Sequence, residues 1–253
     1  MSASADWWRL SSNYVGLRAF TPFDVSLRDG NRYRLEESYD LETVWQIYFH
    51  RAYQLESSDR VIIDAGANIG LFSCFAAACL PECRIYAMEP FPPTYRRLHN
   101  HVQANGFSSR IRCYQMALAG APGHVMMATE GSPSQMVHVM PTETLTYDGE
   151  PGARDVMTLS TAEVEAVSLA GFLESTCERQ IDLLKMDIEG SEYEVLLAAS
   201  SRDLDRVRRI NLEYHQKPGF TKRDILEHLG QCGFQVVFHR MKGEYGIVHL
   251  GRD

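Results

Sequence analysis

From Val61 onward the chain alternates short β-branched runs with amphipathic segments, and this rhythm constrains the fold more than any other feature. "RVIIDAG" reads as a strand, residues 69–80 as a helix, "RIYAMEP" as a strand, and residues 93–105 as a helix closed by Asn105 and Gly106. "IRCYQMAL" reads as a third strand. "IDLLKMDIEG", a helix from Ser191, "RVRRINLEYH", a helix over 221–232, "FQVVFHR" and "YGIVHL" follow. Such alternation requires a parallel sheet with right-handed crossovers, and strands apolar nearly throughout are covered on both faces. The last two strands are joined only by "MKGE", too short for a parallel crossover, so the sheet should end in an antiparallel hairpin. The expectation is a doubly wound, mostly parallel α/β fold.

Two segments stand outside the rhythm. Residues 23–35 alternate apolar and polar around Asp29, Gly30 and Asn31, which predicts a hairpin. Leu41, Val44, Trp45, Tyr48, Phe49, Ala52 and Tyr53 fall on one helical face, with Asp40 placed to cap the helix. Residues 1–57 therefore read as a hairpin-and-helix extension of a main domain over 58–253. Within that domain, residues 119–159 are rich in Gly, Pro, Thr and Met and read as an inserted segment on the substrate side. Methionines there suit an adaptable apolar binding surface.

A chain of 253 residues is long enough for one substantial core. A formal charge of -8 disfavours a nucleic-acid partner, because gripping a phosphate backbone takes clustered Lys and Arg. No apolar run is long enough to span a bilayer, and "MSASADWWRLSSN" has no basic stretch followed by an apolar one. A soluble cytoplasmic protein with no membrane partner is expected. The six cysteines form no CxxC pair, so free thiols are expected. The aromatic residues of the extension, Trp7, Trp8, Trp45 and Tyr48, have three destinations: the core, a cover over substrate, or another subunit of a homo-oligomer.

"VIIDAGANIGLF" raises the question of what its glycine turn holds. A dinucleotide requires G-x-G-x-x-G, and here Gly66 is followed by Asn68 and Leu71 where the second and third glycines belong, so NAD fits poorly. The turn suits a ligand with an amino-acid tail. Asp64 would attract its ammonium, and backbone N–H groups from Gly66 through Asn68 to Gly70 would receive its carboxylate. Glu89, ending the next strand, offers two oxygens to a pair of ribose hydroxyls. Gln115, Met116 and Ala117, at the end of the third strand, would border an adenine. An amino acid joined to a nucleoside is S-adenosylmethionine.

"VIIDAGANIGLF", "AMEP", "IDLLKMDIEGSEYEVL" and "INLEYH", spread over residues 61–215, resemble the successive motifs of the FkbM family of S-adenosylmethionine-dependent methyltransferases. The resemblance implies a class I methyltransferase fold, Rossmann-like, with a seven-stranded sheet whose last strand runs antiparallel. It also implies transfer usually to a hydroxyl oxygen, often on a sugar or natural-product scaffold, so the expected partner is a small hydroxylated acceptor.

Methyl transfer from a sulfonium is an in-line displacement that needs an aligned, desolvated acceptor and a destination for its proton. The fourth and fifth strands end side by side, the first carrying Asp187 and Glu189, the second Glu213 and His215 on one face. Asp187, Glu189 and His215 are the candidate catalytic residues, and His215 is the preferred base because its ordinary pKa is roughly 6.5. Ser191 with Glu194 reads as a capping box that leaves Asp187 and Glu189 free. Asp187 with Glu213 across the cleft is a candidate Mg2+ pair, although the resembling enzymes include metal-free examples. Lys185 reads as the partner of a neighbouring carboxylate, and His99 and His101 as surface residues. Two other functions fit less well. For methylation of a nitrogen on a small molecule or nucleic acid, "MDIEG" stands where the nucleic-acid enzymes carry N/D-P-P-Y/F; for a non-catalytic binding module, Asp187→Ala and His215→Ala should leave activity in its pathway intact.

Overall fold

The computed structural model describes residues 5–14, 16, 19–129, 137–140, 160–243 and 245–252. The chain opens with α1 (Ala5–Tyr14), then β1 (Phe23–Ser26) and β2 (Arg32–Leu35), the expected hairpin. α2 (Ser38–Val44) runs directly into one π-helical turn (Trp45–Phe49). Asp40 is not the cap residue itself. Glu37 occupies that position, and Asp40 Oδ2, three residues on, accepts from the backbone N–H groups of Glu36 and Glu37. The helix also ends earlier than the apolar periodicity suggests. Arg51 turns the backbone with φ +47, so Ala52 and Tyr53 leave the helical face for the centre of the molecule.

β3 (Val61–Ala65), α3 (Leu71–Cys79), β4 (Arg84–Met88), α4 (Pro92–Ala104) and β5 (Ile111–Tyr114) follow in the predicted order. The expected single strand over 111–118 is two. β5 is the edge of its sheet, with no further strand to continue beside, and the chain departs there to place β6 (Ala117–Leu118) in another sheet. That four-stranded sheet has the order β6-β9-β7-β8 and contains β7 (Gly123–Thr129), β8 (Val137–Met140) and β9 (Ser160–Val167). Residues 130–136 and 141–159 of the Met-rich stretch lie outside the described residues. α5 (Leu169–Thr176), β10 (Ile181–Met186), α6 (Glu192–Ala198), the single turn α7 (Ser201–Leu204), β11 (Val207–His215), α8 (Lys222–Gln231), β12 (Gln235–Lys242) and β13 (Tyr245–Gly251) complete the chain.

The main sheet has seven strands in the order β12-β13-β11-β10-β3-β4-β5, all parallel except β13, which runs antiparallel to both neighbours. Strand order reverses between β3 and β10. In such sheets a ligand crevice opens at the carboxyl ends of those two strands.

Side chains alternate between two cores. Ile62 and Leu183 face one that also takes Tyr33, Leu35, Val44, Phe72 and Leu98. Ile63 and Met186 face another that takes Phe172, Leu196 and Leu229. The N-terminal hairpin and α2 thus bury their apolar residues in the same cluster as α3 and α4, each large side chain contributing roughly 1.5–3 kcal/mol. His101 fastens this junction. It is buried rather than on the surface, with Nδ1 2.7 Å from the Ile69 carbonyl and Nε2 accepting from the Arg34 N–H at 3.0 Å. The spacing of His99 and His101 hid this because the wall that buries His101 comes from the distant hairpin; His99 is exposed. Among the described residues no helix is long and apolar enough to cross a membrane.

Candidate active site

Two glycines shape the first crossover. Gly66 has φ +75, and a β-carbon there would lie 1.7 Å from the carbonyl oxygen of Asp187, so the left-handed backbone and the contact with the end of β10 both require glycine. Gly70 precedes α3 with φ +87, where a β-carbon would come 2.7 Å from Leu98 Cδ1. Asn68 is also left-handed, at φ +50, a conformation asparagine tolerates.

The turn is more self-contained than its sequence suggests. Gly66 and Ala67 donate to the Met88 carbonyl, Asn68 to Glu89 Oε2, Ile69 to the Asn68 side chain and Gly70 to the Ala67 carbonyl. The N–H groups expected to receive a ligand carboxylate are therefore already paired, because the turn folds back on the end of β4. Asp64 is likewise occupied. It is fully buried, accepts from Ser73 Oγ at 2.6 Å and pairs with Lys185 Nζ at 3.2 Å. Lys185 also donates to the Gly66 carbonyl at 2.7 Å. Burial alone would lower the Lys185 ammonium, but Asp64 and Asp187 hold it above its ordinary value. Asp64 and Lys185 thus fix the crossover from below, and Lys185 also borders the cleft above it.

A cleft of about 970 Å³, counting its open mouth, lies over the switch point. On its β4 side it is lined by Met88, Glu89, Met116, Ala117, Leu118 and Met127. Met127 is the one residue of the Met-rich stretch that reaches it among those described, and Gln115 is exposed and lies outside the lining. Glu89 accepts from the N–H groups of Asn68 and Phe91, each at 3.0 Å. Burial pushes its carboxyl up to about 7, against the lowering effect of those two N–H groups.

On the β10 side the lining is Tyr39, Gln46, Tyr53, Asp187 and Glu189. The Tyr53 hydroxyl lies 2.9 Å from Asp187 Oδ2 and 3.1 Å from Glu213 Oε2, one proton between two carboxylates. Burial and those charges raise Tyr53 well above its ordinary value, so it keeps its proton. Glu189 is left-handed, at φ +54, an unusual conformation for glutamate of the kind that concentrates at functional sites. Burial and the adjacent Asp187 push Glu189 up to about 7, and the same two causes push Glu213 up to about 8.

His215 sits among acids. Its Nδ1 is 3.1 Å from Glu192 Oε1, and its Nε2 is 3.4 Å from Glu189 Oε2 and 4.0 Å from Glu213 Oε1. Burial would lower the imidazole, but the Glu192 hydrogen bond and the charges of Glu192, Asp187 and Glu189 win and push it up to about 10. At neutral pH it is an imidazolium with no lone pair to take a proton. The sequence argument for His215 as base fails here because Glu192, whose side chain is fully buried beneath it, was not in view. The expected Ser191–Glu194 capping box does not form either. Ser191 makes no side-chain cap bond, Glu194 pairs with Lys217, and Glu192 Oε1 accepts from the Ile188 N–H.

Tyr39, Gln46, Tyr53 and Glu192 were not singled out by the sequence as site residues. The first three come from the extension, and no signal in the sequence marks the turn at Arg51 that brings Tyr53 inward.

The FkbM methyltransferase domain profile matches residues 64–236. The chain is 28% identical over 249 residues to the AMB antimetabolite synthetase AmbE of Pseudomonas aeruginosa, covering 84% of this chain but 11% of AmbE, so it spans about a tenth of that relative's length. It is 30% identical over 208 residues to the 31-O-demethyl-FK506 methyltransferase FkbM of Streptomyces tacrolimicus, covering 75% of this chain and 78% of that one. Protein PH0793 of Pyrococcus horikoshii shares the fold with a TM-score of 0.50 at 12% identity, over 92% of this chain and 72% of that one.

Proposed function

The chain belongs to the FkbM methyltransferase family, and from that premise we propose that it methylates a hydroxyl oxygen of a sugar or small natural-product scaffold, using S-adenosylmethionine. The observation that carries this reading is one cleft with a buried carboxylate, Glu89, on its β4 side and a proton-accepting cluster, Asp187 and Glu189, on its β10 side. The relative named for 31-O-demethyl-FK506 supports an oxygen acceptor.

The residues present fit the cofactor. Ionised Glu89 would accept from ribose hydroxyls, and Met116, Ala117 and Leu118 supply an apolar border for a base. When bound, S-adenosylmethionine supplies an electrophilic methyl group on sulfur. The chain's own part is to hold the acceptor and take its proton. Glu189 is placed for that step, because its carboxylate borders the cleft and is 26% exposed, whereas Glu213 is nearly covered and Asp187 is held by Tyr53 and Lys185. The products balance as the methyl ether, S-adenosylhomocysteine and a proton left on Glu189.

Calorimetry with S-adenosylhomocysteine, followed by mass spectrometry for the gain of one methylene on candidate hydroxylated metabolites, tests the reading. Saturable binding that Glu89→Ala weakens is expected. No binding at millimolar ligand would overturn it.

A further inference from the structure

α2 and the π-helical turn that follows it bring Tyr39, Thr43, Gln46 and Ile47 to the cleft. The first three recur at intervals of four and three residues, the spacing of one helix face. Leu41 and Val44, on the neighbouring face, are buried in the core. We propose that Tyr39, Thr43 and Gln46 are the residues that read the acceptor, and that the acceptor they select is an uncharged sugar ring. This deepens the methyltransferase reading and rests on it for the methyl transfer itself.

Unused hydrogen-bonding capacity is the first support. The hydroxyls of Tyr39 and Thr43 and the amide of Gln46 are half-buried at the cleft, yet they make no hydrogen bond to any described residue. Each of the three can both donate and accept. The Tyr39 hydroxyl keeps its proton, because burial and then the charges of Glu189, Asp187 and Glu213 raise it above its ordinary value. A few convergent polar groups among apolar neighbours such as Ile47 and Phe72 are what orients a small ligand. A sugar ring answers them with adjacent hydroxyls that also donate and accept. A ring without those hydroxyls would leave the three groups covered and unpaired, and a site of this kind rejects it.

Charge is the second support. Glu89, Asp187 and Glu189 border the cleft, and Lys185 is the one cation in its described lining. Lys185 is committed to Asp64 at 3.2 Å and to the Gly66 carbonyl at 2.7 Å. His215, beside Glu189, is ringed by Glu189, Glu192 and Glu213. A carboxylate or phosphate on the acceptor would therefore meet acids, with no free cation among the described lining residues to receive it. Like charges held close in a partly desolvated site repel strongly, so an anionic ring is turned away and a neutral one is not.

The test is saturation-transfer NMR on the full chain, with and without S-adenosylhomocysteine, using methyl β-glucopyranoside and the matching methyl β-glucuronide as probes. Saturable binding of the glucoside is expected, with the glucuronide at least tenfold weaker. Tyr39→Phe and Gln46→Ala should each weaken the glucoside by roughly five- to tenfold. Gln46→Arg puts a cation on this face and should move the glucuronide-to-glucoside ratio by tenfold or more toward the glucuronide, a change that a merely structural role would not produce. No saturable glucoside binding at tens of millimolar, equal affinity for the two probes, or an unchanged ratio in Gln46→Arg overturns the proposal. S-adenosylhomocysteine affinity is measured by calorimetry on the same preparations. Its retention with no preference between the probes defeats the acceptor assignment and leaves the methyltransferase reading standing. Its absence alongside a clear preference does the reverse.

Discussion

The hydroxyl of Tyr53 donates to Oδ2 of Asp187 across 2.9 Å, joining the N-terminal extension to the end of the central strand β10. The same oxygen is 3.1 Å from Glu213, so one hydroxyl separates two acids that would otherwise repel. Tyr53→Phe is expected to destabilise the protein by about 1–3 kcal/mol in urea unfolding, because it removes the one proton shared between buried Glu213 and half-buried Asp187. The turnover number should fall while affinity for S-adenosylhomocysteine changes little, since Glu89 lies on the other side of the cleft.

Gly66→Ala should be among the most damaging single substitutions. The new methyl would overlap the Asp187 carbonyl oxygen at 1.7 Å and the backbone would be held left-handed. A loss of about 3 kcal/mol or more is expected, together with loss of cofactor-product binding in calorimetry.

Glu89 links stability to pH with opposite signs for folding and for binding. Its native carboxyl is held up to about 7 against an ordinary 4.5, so between those values the folded state binds more protons than the unfolded one. The stability this group contributes is therefore fully present below the lower value and is lost as pH rises through the upper one. Glu89→Gln removes that dependence. Relative to the variant, the wild type should lose on the order of 1–3 kcal/mol between about pH 5 and pH 8, measured by chemical denaturation. S-adenosylhomocysteine affinity of the wild type should rise over the same interval, as the carboxylate ionises, and stay flat in Glu89→Gln.

Glu189→Gln keeps the shape of the site and removes the carboxylate proposed to take the acceptor's proton. The turnover number is expected to drop by about 10²–10⁴-fold with product affinity nearly intact, as stopped-time assays and calorimetry would show. A loss confined to cofactor affinity would place Glu189 in the binding site instead.

The parts of this structure written locally were legible in the sequence. β3, α3, β4 and α4 follow from apolar period and turn residues, and the short MKGE link required the antiparallel β12 and β13 pair. Glu89, Asp187 and Glu189 fall on the cleft because strand ends carry them there. The parts settled by distant neighbours were not legible. Asp64 faces inward to Lys185, a residue 121 positions away that register alone brings beside it. His101 is buried by a hairpin that precedes it by nearly seventy residues. His215 was judged by its own chemistry, whereas its charge state belongs to Glu192, and Gln115 falls outside the cleft because β5 ends the sheet there.

The π-helical turn after α2 supplies one wall of the cleft from outside the parallel sheet. Gly66 and the Asp64–Lys185 pair leave the floor little latitude, because the first is held by its left-handed backbone and the second by a buried ion pair. Gln46 and Ile47 line the cleft from that wider winding, and Ile47 is also buried in the core it shares with Ile62 and Leu183. A change in that winding would therefore be felt twice, in the shape of the cleft and in the packing that joins the extension to the sheet.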